Sequence, residues 1–160
     1  MIDKVIFLDI DGPLCNYRTH VGINGLGGGI FNDFDIYTVK ILHIICDTGV
    51  RIVMSTSWRN IRYNKMMSNL ETHDLIQYLY PGDFVTPDFI RSQRILENTC
   101  RGDEIQAWLD KHPDVTDFRI IDDDSDMLDH QKDKLILVNQ LDGLSFLDYE
   151  KLFKWVGLSK

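Results

Sequence analysis

The stretch Lys4-Val5-Ile6-Phe7-Leu8-Asp9-Ile10-Asp11-Gly12 decides how this chain folds. Residues 5–8 form a short apolar run rich in β-branched and aromatic side chains, which predicts a buried parallel strand. Two aspartates and a glycine follow at once, so the strand delivers two carboxylates at its carboxyl end, the edge at which open α/β sheets bind ligands. Because such a pair is costly unless a cation neutralises it, and because Mg²⁺ prefers carboxylate and carbonyl oxygens, the stretch predicts a Mg²⁺ site.

Length and composition favour one globular domain over residues 1–160. The chain has 160 residues, 44% apolar and 26% charged, which is enough for a substantial core. No apolar stretch approaches the roughly 20 residues that span a membrane, and the first residues lack the apolar segment of a signal peptide. Three widely spaced cysteines, Cys15, Cys46 and Cys100, favour reduced thiols in the cytoplasm over a disulfide framework or a zinc site.

The net charge of −8 argues against a long electrostatic footprint on nucleic acid. Cationic residues nevertheless concentrate in the middle third of the chain: Arg51, Arg59, Arg62, Lys65, Arg91, Arg94 and Arg101. Two interpretations stay open, a basic rim around an acidic metal site and a scatter of solvated charges.

Strand-like and helix-like patterns alternate along the chain, as in a series of βαβ units. The strands are predicted over residues 5–8, 50–54, 83–86, 118–121 and 135–138. The helices are predicted over residues 35–47, 61–70, 73–79, 103–111 and 148–156. Asp33 or Asp35 is the expected N-cap of the first helix, and Gly49 its C-terminal stop. Residues 12–33 contain six glycines, five of them between Gly22 and Gly29, and are predicted to be too flexible for a packed helix.

Polar side chains follow three of these strands at their carboxyl ends: Asp9 and Asp11, Ser55 and Thr56, and Asp122 and Asp123 with Asp126. Because parallel strands bring these ends to one edge, the side chains are expected to converge. Asp-x-Asp-Gly also occurs in calcium loops, but those need further acids at fixed offsets, and here Pro13-Leu14-Cys15 follows.

The three strand ends resemble the haloacid dehalogenase (HAD) superfamily of aspartate-nucleophile phosphohydrolases. Its motifs match Leu8-Asp9-Ile10-Asp11-Gly12, Met54-Ser55 and Ile121-Asp122-Asp123, and the likeness spans nearly the whole chain. Pro13 departs from the usual Thr or Val without removing a reactive group. The run Ser55-Thr56-Ser57-Trp58-Arg59 and the triple aspartate look most like the small HAD domains of RNA-repair proteins and the phosphatase half of polynucleotide kinase-phosphatases.

This resemblance implies a role for each aspartate. Asp9 would attack phosphorus, and Asp11 would protonate the leaving oxygen and then activate water. Mg²⁺ would bind a carboxylate oxygen of Asp9, the backbone carbonyl of Asp11 and an acid after the fourth strand. Asp123 is favoured for that last ligand and Asp122 is the rival, because Asp122 and Asp126 also fit the family's Asp-x-x-x-Asp spacing.

The resemblance also implies a phosphate-binding set. Ser55, with Thr56 beside it, would hydrogen-bond a phosphoryl oxygen, although a serine at a strand end can be only a cap. Arg101 is the best match for the family's third-motif cation, with Lys111 as the weaker candidate. Arg59 would contact a substrate phosphate or else be solvated beside a packed Trp58. Asp126 is read either as an acid behind the metal ligands or as the N-cap of the next turn.

The fold expected is a Rossmann-like three-layer α/β/α sandwich with a parallel five-stranded sheet in the order 5-4-1-2-3. Little or no cap is expected: residues 12–33 would form a flap beside the nucleophile, and residues 60–95 a small insertion. The function expected is a Mg²⁺-dependent phosphomonoesterase acting on nucleotides or nucleic-acid terminal phosphates. The alternatives are a phosphatase for another small metabolite and an inactive domain that binds phosphate or depends on a protein partner.

Overall fold

A computed structural model describes residues 2–25, 33–89 and 99–158 of the chain. The strands are β1 (Lys4–Leu8), β2 (Arg51–Met54), β3 (Asp117–Asp122) and β4 (Leu135–Leu137). The helices are α1 (Tyr17–Asn24), α2 (Ile36–Cys46), α3 (Trp58–Ile61), α4 (Tyr63–Thr72), α5 (Arg101–Leu109) and α6 (Phe146–Trp155). Two short 3₁₀ turns cover Ile76–Tyr78 and Asp129–Lys134.

The four strands form one parallel sheet in the order β2-β1-β3-β4. The central strand β1 is buried along nearly its whole length, as expected for a parallel strand covered on both faces. Its register pairs Leu8 with Met54 of β2 and with Ile121 of β3. The residues that follow these three positions therefore leave the sheet side by side.

The alternation of side chains along β1 divides the core into two layers. Ile6 and Leu8 belong to the larger cluster, which includes buried residues of α2, α4 and α6. Val5 and Phe7 belong to the smaller cluster with Trp108 of α5, whose ring meets that of Phe7 edge to face at 5.3 Å between centroids. The molecule is thus an α/β structure with helices on both faces of a parallel sheet.

The segment predicted as the third strand does not form a regular strand in the described chain. Val85 makes only an isolated parallel bridge to Met54, supported by the bonds from Met54 N to Phe84 O (2.7 Å) and from Thr86 N to Met54 O (3.0 Å). Pro81-Gly82 before the segment and Pro87 after it limit the pairing to this short stretch. The segment still lies beside β2, where the third strand of the predicted order was expected.

Two predictions about helices are wrong. Residues 12–33 were expected to lack a packed helix, yet α1 begins after Asn16, whose side chain accepts a hydrogen bond from Thr19 N at 2.9 Å. This N-cap starts the helix, and Gly25, at φ +69°, ends it. The helix predicted over residues 73–79 is only a 3₁₀ turn, because Asp74 at φ +55° interrupts it.

The expected flap and insertion are described only in part. Residues 26–32 of the flap and 90–98, which include Arg91 and Arg94 and the end of the insertion, lie outside the described residues. The described start of the flap is tied to the loop after β4 by the bonds from Tyr17 N to Gln140 O (3.0 Å) and from Arg18 N to Leu141 O (2.8 Å).

Candidate active site at the carboxyl edge of the sheet

The sheet register brings the three predicted strand ends together. The backbone ladder continues one step beyond the strands, with Asp9 N donating to Ile121 O and Ser55 N donating to Leu8 O, both at 2.9 Å. Asp9 therefore stands between Ser55 on one side and Asp122 on the other, and neighbouring strands are about 4.8 Å apart. Residues separated by more than 100 positions in the sequence thus form one site.

Three aspartates at this edge form an acidic cluster. One carboxylate oxygen each from Asp9, Asp122 and Asp123 lies within 4.8 Å of the other two. Asp9 and Asp122 are buried, and Oδ2 of Asp122 has no hydrogen-bond partner among the described residues. An all-oxygen donor set with a buried carboxylate oxygen that accepts no hydrogen bond from the described residues fits a hard divalent cation such as Mg²⁺.

The same crowding perturbs the protonation of the two buried acids. Burial raises the pKa of Asp9 to about 7, against the opposing charge of Arg101 and a hydrogen bond from Thr56. Burial, together with the negative charge of Asp9, raises the pKa of Asp122 to about 8. Ionising either carboxylate in this buried site therefore costs free energy. A bound cation lowers that cost because its positive charge stabilises the carboxylates.

Gly12 makes the close approach of Asp123 geometrically feasible. It has φ +90°, and a Cβ at this position would lie 2.7 Å from Cβ of Asp123. Both the left-handed backbone and the missing side chain are needed here. This explains in structural terms why a glycine ends the Asp-x-Asp-Gly stretch.

Ser55 and Thr56 both lie at the site, but their side-chain hydroxyls differ in the hydrogen bonds that they make. Both are fully buried, but Oγ of Ser55 has no partner among the described residues. The Thr56 hydroxyl donates to Asp9 and accepts a hydrogen bond from Trp58 N at 3.3 Å. Ser55 therefore has a hydroxyl available for a ligand, whereas Thr56 already holds Asp9.

Arg101, the first residue of α5, reaches the acidic cluster. Its Nε lies 3.6 Å from Oδ2 of Asp122, and its Nη1 donates to the backbone carbonyl of Ser55. Lys111 is exposed beyond the other end of α5, about 15 Å along the helix axis by the rise per residue. Of the two third-motif candidates, Arg101 is the one that the fold brings to the acids.

Asp126 caps the helix that carries Arg101. Its Oδ2 accepts a hydrogen bond from Arg101 N at 3.0 Å, and its backbone carbonyl accepts one from Gly102 N at 3.2 Å. The N-cap role was expected for the turn after Asp126, but the helix it caps precedes it in the sequence. Asp126 thus fixes the start of α5 and, with it, Arg101.

The side chain of Arg59 is packed within the protein rather than solvated. Its side chain is 6% exposed, and Nη2 lies 2.6 Å from Oε2 of the fully buried Glu104. Nη1 donates to Thr56 O at 2.8 Å. This ion pair joins α3 to α5, so the observed contacts of Arg59 are with the protein.

Sequence reasoning missed two contacts that orient the acids. The indole Nε1–H of Trp58 donates to Oδ2 of Asp11 at 2.9 Å, and the side-chain amide of Gln140 donates to Asp123. The Trp in the Ser-Thr-Ser-Trp-Arg run was a visible signal for the first contact, although it indicated only packing. No local pattern indicates the second, because Gln140 lies in the loop after β4.

Comparison with known proteins identifies the class to which this fold and site belong. Residues 5–148 match the family described as the HAD domain in Swiss Army Knife RNA repair proteins. The chain belongs to this family, which confirms the resemblance drawn from the three motifs and implies phosphatase-type hydrolase chemistry. Searches of curated proteins and of solved structures found no match. None of the helices in the described ranges has the length and apolarity to span a membrane.

Proposed function

We propose that the protein is a Mg²⁺-dependent phosphomonoesterase that acts through an aspartyl-phosphate intermediate on nucleotides or nucleic-acid terminal phosphates. The observation that carries the proposal is a convergence at one sheet edge of Asp9, Asp122, Asp123, Arg101 and Ser55. The Ser55 hydroxyl has no hydrogen-bond partner within the described ranges. The second acid of the first motif, Asp11, lies two residues from Asp9, as general acid catalysis beside the nucleophile requires. The family match adds support for a phosphate ester as substrate.

The cation would be held by the carboxylates of Asp9, Asp122 and Asp123 with the backbone carbonyl of Asp11. When bound, it would neutralise charge on the acids and on the phosphoryl group. Asp123 and its rival Asp122 are both included in this proposal, since each contributes an oxygen to the cluster.

The protein's own groups would carry the bond changes. A carboxylate oxygen of Asp9 attacks phosphorus while the bond to the leaving oxygen breaks, and Asp11 gives that oxygen a proton. Asp11, now a carboxylate, takes a proton from the water that hydrolyses the acyl phosphate, and Asp9 is regenerated. Ser55 and Arg101 would bind phosphoryl oxygens and stabilise the charge that accumulates there. Thr56 orients Asp9 throughout by its hydrogen bond.

Phosphate release from a substrate panel tests this proposal. The panel contains 5′- and 3′-mononucleotides, 3′-phosphorylated oligonucleotides and sugar phosphates, each with Mg²⁺ or with EDTA. We expect turnover only with the metal and a loss of about 10⁴-fold or more in Asp9→Asn, as for removal of a nucleophile. Asp129→Asn, at an exposed aspartate that pairs with Lys132 on the surface, is the matched control and should retain activity.

The identity of the best substrate decides between the alternatives. An acidic chain favours nucleotides, while the family description favours RNA ends, so the salt dependence of KM is informative. A steep log–log slope indicates a polynucleotide, and a shallow slope indicates a mononucleotide or a sugar phosphate. No turnover of any substrate by folded protein that binds Mg²⁺ would refute the enzymatic proposal and leave the phosphate-binding alternative.

A further inference from the structure

We infer that Trp58 is a positioning residue that selects which oxygen of Asp11 gives its proton to the leaving group. The inference rests on the proposed function, because it assigns Trp58 a task only if Asp11 is the general acid. It concerns a contact that no sequence motif specifies, the bond from the Trp58 indole N–H to Oδ2 of Asp11.

The geometry holds the indole in place from several directions. Trp58 is fully buried, and its backbone N donates to the Thr56 hydroxyl at 3.3 Å. The Arg62 guanidinium lies over its ring at 4.9 Å from the centroid. Asp11, by contrast, is only half-buried. A fixed donor therefore faces an acid that has access to a ligand.

The chemistry of the indole makes this contact directional. An indole N–H can donate a hydrogen bond but cannot accept one. Oδ2 of Asp11 is therefore held as an acceptor, and the transferable proton is assigned to the other oxygen, Oδ1. The two oxygens of a free carboxyl are equivalent, so the contact removes unproductive orientations of the acid.

The same bond also favours the proton transfer itself. As the phosphorus–oxygen bond breaks, its electron pair takes the proton from Oδ1 and leaves Asp11 as a carboxylate. A hydrogen bond to a charged acceptor is stronger than one to a neutral acceptor. The Trp58 bond is thus worth more after proton transfer than before, which is the condition for lowering a barrier.

Dependence on the leaving group separates this role from packing. Trp58→Phe keeps an aromatic ring and removes the N–H. In single turnover with Mg²⁺, we expect release of a nucleoside from its 3′-phosphate to slow by roughly 10- to 100-fold, the range for losing a hydrogen bond to a charged group. Release of p-nitrophenol needs little protonation, so its rate should stay within about threefold of wild type.

Trp108→Phe is the matched control. Trp108 is also buried, and its indole N–H donates to the backbone carbonyl of Asp83 at 2.8 Å. It belongs to the smaller core cluster, whereas Trp58 belongs to the larger one. This variant loses a buried indole bond without touching the acid, so both substrates should respond alike. If Trp58→Phe fails to fold, benzothienylalanine at position 58 replaces the N–H with sulfur at nearly constant shape and should give the same selective loss.

The outcomes distinguish this inference from the proposed function. If the wild type turns over neither these two substrates nor any other member of the panel, the proposed function fails and the inference fails with it. If the wild type is active and the Trp58 variants slow both substrates equally, the proposed function stands and the positioning role is refuted. Selective loss with the nucleoside phosphate alone supports both.

Discussion

The two ends of strand β3 each carry an aspartate, and the two are held in opposite ways. Asp117, at the amino end, accepts hydrogen bonds from the Trp155 indole (2.7 Å), Arg119 (3.1 Å) and Lys134 (3.2 Å). Asp122, at the carboxyl end, accepts one from Asp124 N (2.9 Å), while its Oδ2 has none within the described ranges. One strand therefore ends in a fully satisfied carboxylate and in a buried, incompletely satisfied one.

Their protonation reflects this difference. Burial acts to raise the pKa of Asp117, but the hydrogen bonds from Trp155 and Lys134, together with the positive charges of Arg119 and Lys134, outweigh it and hold the pKa below its usual value. Burial raises the pKa of Asp122 to about 8. The carboxylate at the amino end of the strand thus stabilises the fold. At the carboxyl end, ionising Asp122 is unfavourable until a ligand neutralises its charge.

Replacing each aspartate in turn by asparagine tests whether the two ends of β3 differ in function and in stability. Asp122→Asn should lower kcat/KM by about 10²-fold or more, because it removes a metal ligand and the ion-pair partner of Arg101. Its free energy of unfolding without metal should fall by less than about 0.5 kcal/mol, or rise, since Asn replaces a buried carboxyl that is costly to ionise. Phosphate release and urea unfolding in EDTA measure the two effects.

Asp117→Asn should show the reverse pattern. It leaves the acidic cluster intact, so activity should stay within about threefold of wild type, while loss of the charged acceptor should cost about 1–2 kcal/mol of stability. If both Asp117→Asn and Asp122→Asn lowered activity and stability together, the strand would not have one stabilising end and one functional end.

The stabilisation by Mg²⁺ provides a second test of the difference between Asp117 and Asp122. A cation that binds only the folded state at 100 times its dissociation constant adds about 2.7 kcal/mol of stability. Mg²⁺ should therefore raise the melting temperature of the wild type and of Asp117→Asn by similar amounts, and raise that of Asp122→Asn much less. An equal rise in all three proteins would place the cation away from the carboxyl edge.

Sequence patterns predicted the positions of the acids well because the relevant information is local. An apolar run followed by Asp9, or by Asp122, marks a strand end, and parallel strands must bring such ends together. Patterns failed where contacts are distant: Trp58 and Asp11 are 47 residues apart, and their bond depends on how the loop after β2 turns. For α1, the single cap Asn16 outweighed a glycine-rich composition.

Two serine hydroxyls, those of Ser145 and Ser55, differ in the same way as the two aspartates. Ser145 caps α6 and exchanges hydrogen bonds with Asp148, whereas the Ser55 hydroxyl has no partner in the part of the chain that the structure describes. Ser55→Ala should lower kcat/KM by about tenfold, the worth of one phosphate hydrogen bond, with little change in stability. Ser145→Ala should cost about 1 kcal/mol of stability with unchanged activity. The assignment of Ser55 to phosphate binding fails if its alanine variant keeps the wild-type KM and kcat.

The smallest predicted effect is a difference in pH dependence between the two ends of β3 in metal-free protein. Asp122 keeps its proton in the folded state up to pH about 8, whereas in the unfolded chain it ionises near pH 4. The unfolded state therefore binds fewer protons between these values, so this contribution to stability is complete below pH 4 and is lost as the pH rises toward 8.

Asp117 has the opposite sign, because its folded pKa lies below the unfolded value. Its contribution is present above about pH 4 and is lost as the pH falls through the folded pKa. Urea unfolding in EDTA at pH 3, 5 and 8 should show the advantage of wild type over Asp117→Asn shrinking in acid. The stability of wild type relative to Asp122→Asn should instead decrease from pH 5 to pH 8. Parallel curves for the two variants would mean that the ends of the strand do not differ in how they hold their charge.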